Sequence, residues 1–156
     1  MKGIFPVLLS LLAGCANSSN ESIPTGNESI IIQTKASDDA VKSRHFAGAF
    51  SNGMKGDSIF FDISADGKKL ENLTFKGYWR CSGKLEQTTV GPDGAFTITG
   101  GKVNDHISEP PDGGSTAWRF DLQADLQSTK ASGTFRMNIN NLGCDTYKLN
   151  WTAVAK

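Results

Sequence analysis

The sequence predicts an all-β fold: an antiparallel two-sheet β-sandwich of seven or eight strands, with a partly open barrel as the alternative. Three observations carry that expectation. From His45 onward, apolar residues recur with period two and no long helical stripe appears. The apolar runs are separated by tight turns rich in Gly, Asp and Pro. Finally, 17 Gly and 9 Phe in a chain of 156 residues fit many turns around an aromatic core.

The elements follow in order. Phe46, Gly48 and Phe50 alternate in a first strand, and Ile59, Phe61 and Ile63 form the inward set of a second. Ala65-Asp66-Gly67-Lys68 ends that strand, and Asp-Gly makes a good hairpin turn because both positions tolerate positive φ. Leu73, Phe75, Gly77, Trp79 and Cys81 share one face of a third strand. Leu70 falls out of that phase, which predicts a bulge or strand start near Glu71-Asn72. Phe96 and Ile98 mark a short strand after Gly91-Pro92-Asp93-Gly94. Residues 100–116 form the longest polar stretch, read as a long connection holding a small strand over Lys102 to Ile107. Beyond it three inward sets alternate: Trp118, Phe120, Leu122, Ala124 and Leu126; Gly133, Phe135, Met137 and Ile139; then Tyr147, Leu149, Trp151, Ala153 and Ala155. The Gly-x-Phe unit recurs at Gly48, Gly94 and Gly133, where glycine opens a turn or makes room for a ring.

The first fifteen residues have a different character. Met1-Lys2-Gly3 supplies a positive start, Ile4 to Leu12 is apolar apart from Pro6 and Ser10, and Leu12-Ala13-Gly14-Cys15 follows. The apolar run is too short for a stable membrane span and has the layout of a secretory signal. Its last four residues match the bacterial lipobox, so the chain resembles a bacterial lipoprotein cleaved before Cys15 and acylated on that thiol. Two or more acyl chains anchor stably, each buried methylene contributing roughly 0.8 kcal/mol. Ala16, where Asp would favour inner-membrane retention, implies the outer membrane if the cell is Gram-negative.

The chain therefore divides into a signal peptide over 1–14, a lipidated N-terminus and flexible tether over 15–40, and a β domain over 41–156. The 25 mostly polar residues 16–40 would span about 27 Å as a coil. Within them Ser29-Ile30-Ile31-Ile32-Gln33-Thr34 has strong β propensity and is read either as linker or as an added edge strand. With 16 Lys plus Arg against 16 Asp plus Glu, the full chain has zero net charge. Cleavage would remove Lys2 and no acid, leaving −1. That balance argues against a nucleic-acid partner, which needs a clustered basic surface.

With Cys15 acylated, Cys81 and Cys144 remain, and an oxidising envelope compartment permits their disulfide. A cysteine nucleophile would want a positioned histidine, and His45 and His106 have no recognisable catalytic context. A zinc site would need more soft ligands. No nucleophile elbow, zinc-protease helix, phosphate loop or EF-hand is present, so no catalytic residue, metal ligand or cofactor is assigned. Two places remain as candidate ligand contacts. Asp105, His106 and Glu109, with Asp112 beyond them, lie in the long polar stretch. Tyr78 takes outward parity with Lys76 and Arg80, whereas Trp79, Trp118 and Trp151 take inward parity.

Over residues 46–154 the chain also resembles a loose group of small secreted or lipid-anchored bacterial β-sandwich proteins. The matching elements are Gly48-Ala49-Phe50, Phe61-Asp62-Ile63-Ser64, Asp66-Gly67, Leu73 to Cys81, Gly133-Thr134-Phe135-Arg136, Cys144 and Trp151-Thr152-Ala153. Most of these serve turns and core, and the group has no catalytic signature to transfer. The expected role is thus a non-enzymatic, lipid-anchored envelope domain. It would contact membrane lipid through Cys15 and an envelope protein or glycan through its surface. The rival expectations are a carbohydrate- or cell-wall-binding module or inhibitor, and an envelope hydrolase using acids of the 100–116 stretch.

Overall fold

A computed structural model of the chain describes residues 42–156. The signal, Cys15, the tether and Ser29 to Thr34 lie outside the described residues. Ten strands follow in order: β1 (Arg44–Phe50), β2 (Ser58–Ile63), β3 (Lys69–Cys81), β4 (Lys84–Val90), β5 (Phe96–Thr97), β6 (Lys102–Glu109), β7 (Trp118–Leu126), β8 (Lys130–Ile139), β9 (Cys144–Asp145) and β10 (Leu149–Ala155). A three-residue 3₁₀ turn, Asn140–Leu142, joins β8 to β9. Eight of the ten strands have six residues or more, and every pairing is antiparallel.

Pairing runs β10-β1-β2-β3-β9-β8 and returns from β8 to β10, closing a ring of six strands. Four strands lie outside it: β7 and then β6 extend from β8, while β4 and β5 pair with β3. The all-β antiparallel class is as expected. The division into two sheets is replaced by one connected ten-stranded sheet, because β10 bonds β1 along one edge and β8 along the other.

The alternating residues fill the ring. Phe46, Phe61, Phe75, Phe96, Phe120, Phe135 and Trp151 are buried. Their rings meet in series: Phe46 stacks on Phe61 at 5.1 Å, Phe61 meets Trp151 edge-on at 5.5 Å, and Phe75 stacks on Phe135 at 5.4 Å. Such pairs contribute about 0.5–1.5 kcal/mol each beyond the area they bury. Trp79 is buried and stacks at 5.2 Å on half-buried Trp118. All three tryptophans therefore take the inward positions their parity predicts.

The bulge also falls where phase demanded it. Phe60 pairs with Thr74 but Asp62 with Glu71, so β3 carries one extra residue there. Asn72 takes a φ of 54°, which asparagine tolerates better than most residues.

Two expectations need correction. Strand β4 was missed because Lys84–Val90 buries no side chain fully and shows no alternation; β3 recruits it through a Ser82-Gly83 turn with both φ values positive. The small strand expected over Lys102 to Ile107 is β6, which runs two residues further and pairs with β7 over eight residues. As an edge strand it keeps polar side chains on most positions. Tyr147 does not join the inward set of β10. It turns at a φ of 55° with its side chain exposed, and buried Thr146 takes the interior place.

Cys81 and Cys144 form a disulfide across 63 positions. It lies beside the narrowest seam of the ring, where β3 meets β9 through the single pair Arg80 with Asp145. Closing a loop of that length contributes about 4 kcal/mol in the chain-entropy account. Replacing both cysteines by serine should lower the unfolding free energy by about that amount in a denaturant titration. Identical midpoints for the variant and the oxidised parent would contradict this role.

Candidate functional site

Alternation along β7 and β8 sends one parity into the core and the other to the surface. On β7 the outward residues are Arg119, Asp121 and Gln123; on β8 they are Thr134, Arg136 and Asn138. Register sets these side by side: Arg119 opposite Asn138, Asp121 opposite Arg136, and Gln123 opposite Thr134. Strand β6 adds Asn104 opposite Gln123 and His106 opposite Asp121. Together they line an open groove of about 640 Å³ on the outer face of β6, β7 and β8.

Its side chains are organised by their own hydrogen bonds. Arg119 donates to Asp121 through Nε at 2.9 Å and Nη2 at 2.7 Å, an i, i+2 pair on one face of β7. Arg136 forks onto Asp145 at 3.0 and 2.6 Å, and these bonds raise its pKa further above the ordinary arginine value. Gln123 donates to Asn104 at 3.2 Å and accepts from Thr134 at 3.1 Å. Ion pairs this exposed contribute only about 0–1 kcal/mol to stability, so their effect is mainly to fix side-chain positions. Asn138 differs from its neighbours. It lines the same groove, is only 4% exposed, and its Oδ1 has no hydrogen-bond partner.

The candidate contacts named from sequence are partly gathered here. Asp105 and His106 both line the groove, with the His106 backbone N–H donating to Asp105 at 2.7 Å. Glu109 does not join them; at the end of β6 it accepts the Asp93 N–H at 2.5 Å and holds the 91–94 turn. Asp112 sits exposed in the connection after β6. Tyr78 is half-buried on β3, and its N–H donates at 3.1 Å to Asp57. Asp57 is buried and also accepts from the Met54 N–H at 2.7 Å, so it ties the β1–β2 loop to β3. Tyr78 belongs to a separate shallow depression of about 240 Å³ with Met54, Leu85 and Tyr147.

The two places are linked. Arg136 of the groove holds Asp145, and Asp145 lines the depression. Its Oδ1 also accepts the Tyr147 N–H at 2.7 Å. His45 lies elsewhere, bonded at 2.8 Å to Asp62, which also accepts from Asn72 at 2.8 Å. Burial opposes ionisation of Asp62, but the bonds from Asn72 and His45 outweigh it and hold the carboxyl below its ordinary value.

Sequence reasoning missed Arg119, Asp121, Gln123, Thr134, Arg136 and Asn138. Their signal was the outward parity of strands whose inward parity was read correctly. The groove's chemistry is that of a hydrogen-bonding surface. Both oxygens of Asp121 accept from Arg119, and Asp105 and His106 approach no closer than 4.0 Å through Nδ1. Among the described residues, no three His, Cys, Asp or Glu side chains gather closely enough to hold a metal ion.

No protein-family model, curated protein or solved structure matches the chain.

A buried amide oxygen without a donor costs about 1–3 kcal/mol. Asn138→Leu, nearly isosteric and apolar, should leave thermal stability unchanged or raise it by about 1 kcal/mol. A large loss of stability would show that Asn138 serves the fold.

Proposed function

We propose that the chain is a lipid-anchored protein of the bacterial envelope whose barrel is a non-enzymatic binding domain, with the β6–β8 face as its contact surface. The observation that carries this reading is the groove itself. Its arginines are held by carboxylates and its amides are aligned in register. Such a surface is prepared to exchange hydrogen bonds with a partner. It holds no nucleophile beside a base.

The remaining support comes from the chain's other features. Leu12-Ala13-Gly14-Cys15 supplies the lipidation signal, and Ala16 favours outer-membrane sorting in a Gram-negative cell. The Cys81–Cys144 disulfide suits an exported domain. The hydrolase reading gains no specific support, because Asp105, Glu109 and Asp112 do not line one groove.

Cys15→Ser should abolish metabolic acyl labelling and release the protein from the membrane fraction. In intact envelopes, cross-linkers placed on β6–β8 should capture a component that linkers placed on β1 do not. Unchanged membrane retention of Cys15→Ser would contradict the anchor, and equal capture from both faces would contradict the contact surface.

A further inference from the structure

The groove and the adjoining depression together define the chemical class of the ligand. We infer that this surface binds a neutral oligosaccharide, an inference resting on the binding-domain reading above.

Charge comes first. Across the groove and the depression, Arg80, Arg119, Arg136 and Lys148 are balanced by Asp57, Asp105, Asp121 and Asp145, and Arg119 and Arg136 are each forked onto a carboxylate. An anionic ligand would have to break those pairs and a cationic one would meet the arginines, so the match is to an uncharged partner.

Hydrogen-bond type comes second. Asn104, Gln123 and Asn138 each carry donor and acceptor atoms on one planar group, and Thr134 adds a hydroxyl. A sugar hydroxyl is likewise donor and acceptor at once.

An aromatic surface comes third. Tyr147 is 60% exposed, and its backbone is held from both sides. Its N–H donates to Asp145, and its carbonyl accepts from Thr146 Oγ1 at 3.0 Å. Asp145 is in turn gripped by Arg136, so the backbone that carries the ring is tied to the groove. A left-handed backbone at a bulky residue is uncommon and is found where the surroundings impose it. A tyrosine ring so placed gives the apolar C–H face of a sugar somewhere to pack at little conformational cost.

The test is calorimetric or NMR titration of the full chain in detergent. The probes are a neutral N-acetylglucosamine tetramer, a neutral glucose tetramer and an anionic galacturonate tetramer. At least one neutral probe should bind at millimolar affinity or better and more tightly than the anionic one. Tyr147→Ala and Gln123→Ala should each weaken that binding about tenfold without shifting the melting temperature. Val154→Ala, an exposed site outside the groove, should bind as the parent does. Three results overturn the inference: no neutral probe binding up to about 10 mM, preference for the anionic probe, or unchanged affinity in both Tyr147→Ala and Gln123→Ala. If envelope cross-linking through β6–β8 persists while the sugars fail, the ligand class falls and the binding-domain reading stands.

Discussion

Strand β10 closes the ring, and both of its neighbours set a glycine opposite it where a Cβ would not fit. Gly48 of β1 stands opposite Ala153, and Gly133 of β8 opposite Trp151. A Cβ on Gly48 would lie 2.2 Å from the Thr152 carbonyl oxygen. One on Gly133 would lie 1.8 Å from the Gln123 carbonyl oxygen and 2.9 Å from the Trp151 ring. Neither glycine has a positive φ, so the constraint is space alone. The close approach lets Trp151 fill the interior against Phe61, although its Nε1 finds no acceptor there. Burial of that large ring outweighs the lost hydrogen bond.

The same closure places the groove. Strand β8 gives one edge to β10 and the other to β7, so it belongs both to the ring and to the outer sheet that carries the site. The opposite seam is thin, a single β3–β9 pair, and Cys81 and Cys144 brace it covalently. Asp145 sits at that seam. It pairs in register with Arg80 and with Asn138, receives Arg136, and orients Tyr147. Closure and recognition therefore share residues, and a rigid ring gives the groove its fixed arrangement.

Much of this was written in the sequence and some was not. Period-two alternation exposed the strands that bury one face, such as Ile59-Phe61-Ile63 and Phe120-Leu122-Ala124. It could not expose β4, whose existence depends on the edge that β3 presents. It placed a strand over Lys102 to Ile107 but not its full extent to Glu109, because an edge strand needs few apolar residues. Parity separated Arg119 and Asp121 from the core, but lateral register decides that Asn138 lies beside Arg119, and no local pattern encodes register between distant strands. Tyr147 misled for a physical reason: Asp145 caps its N–H and turns the chain before β10 begins. The disulfide was legible from cysteine count and compartment, whereas its place at the seam needed the pairing.

The ring-closure account is tested most directly by the unfolding free energy of Gly133→Ala. The added methyl has no free space beside the Gln123 carbonyl and Trp151. Overpacking of this kind should lower stability by about 1–3 kcal/mol and disturb the near-ultraviolet signal of Trp151. Parental stability with an unchanged tryptophan signal would show that Gly133 is not packed as closely against Gln123 and Trp151 as the closed ring requires, and would contradict the account.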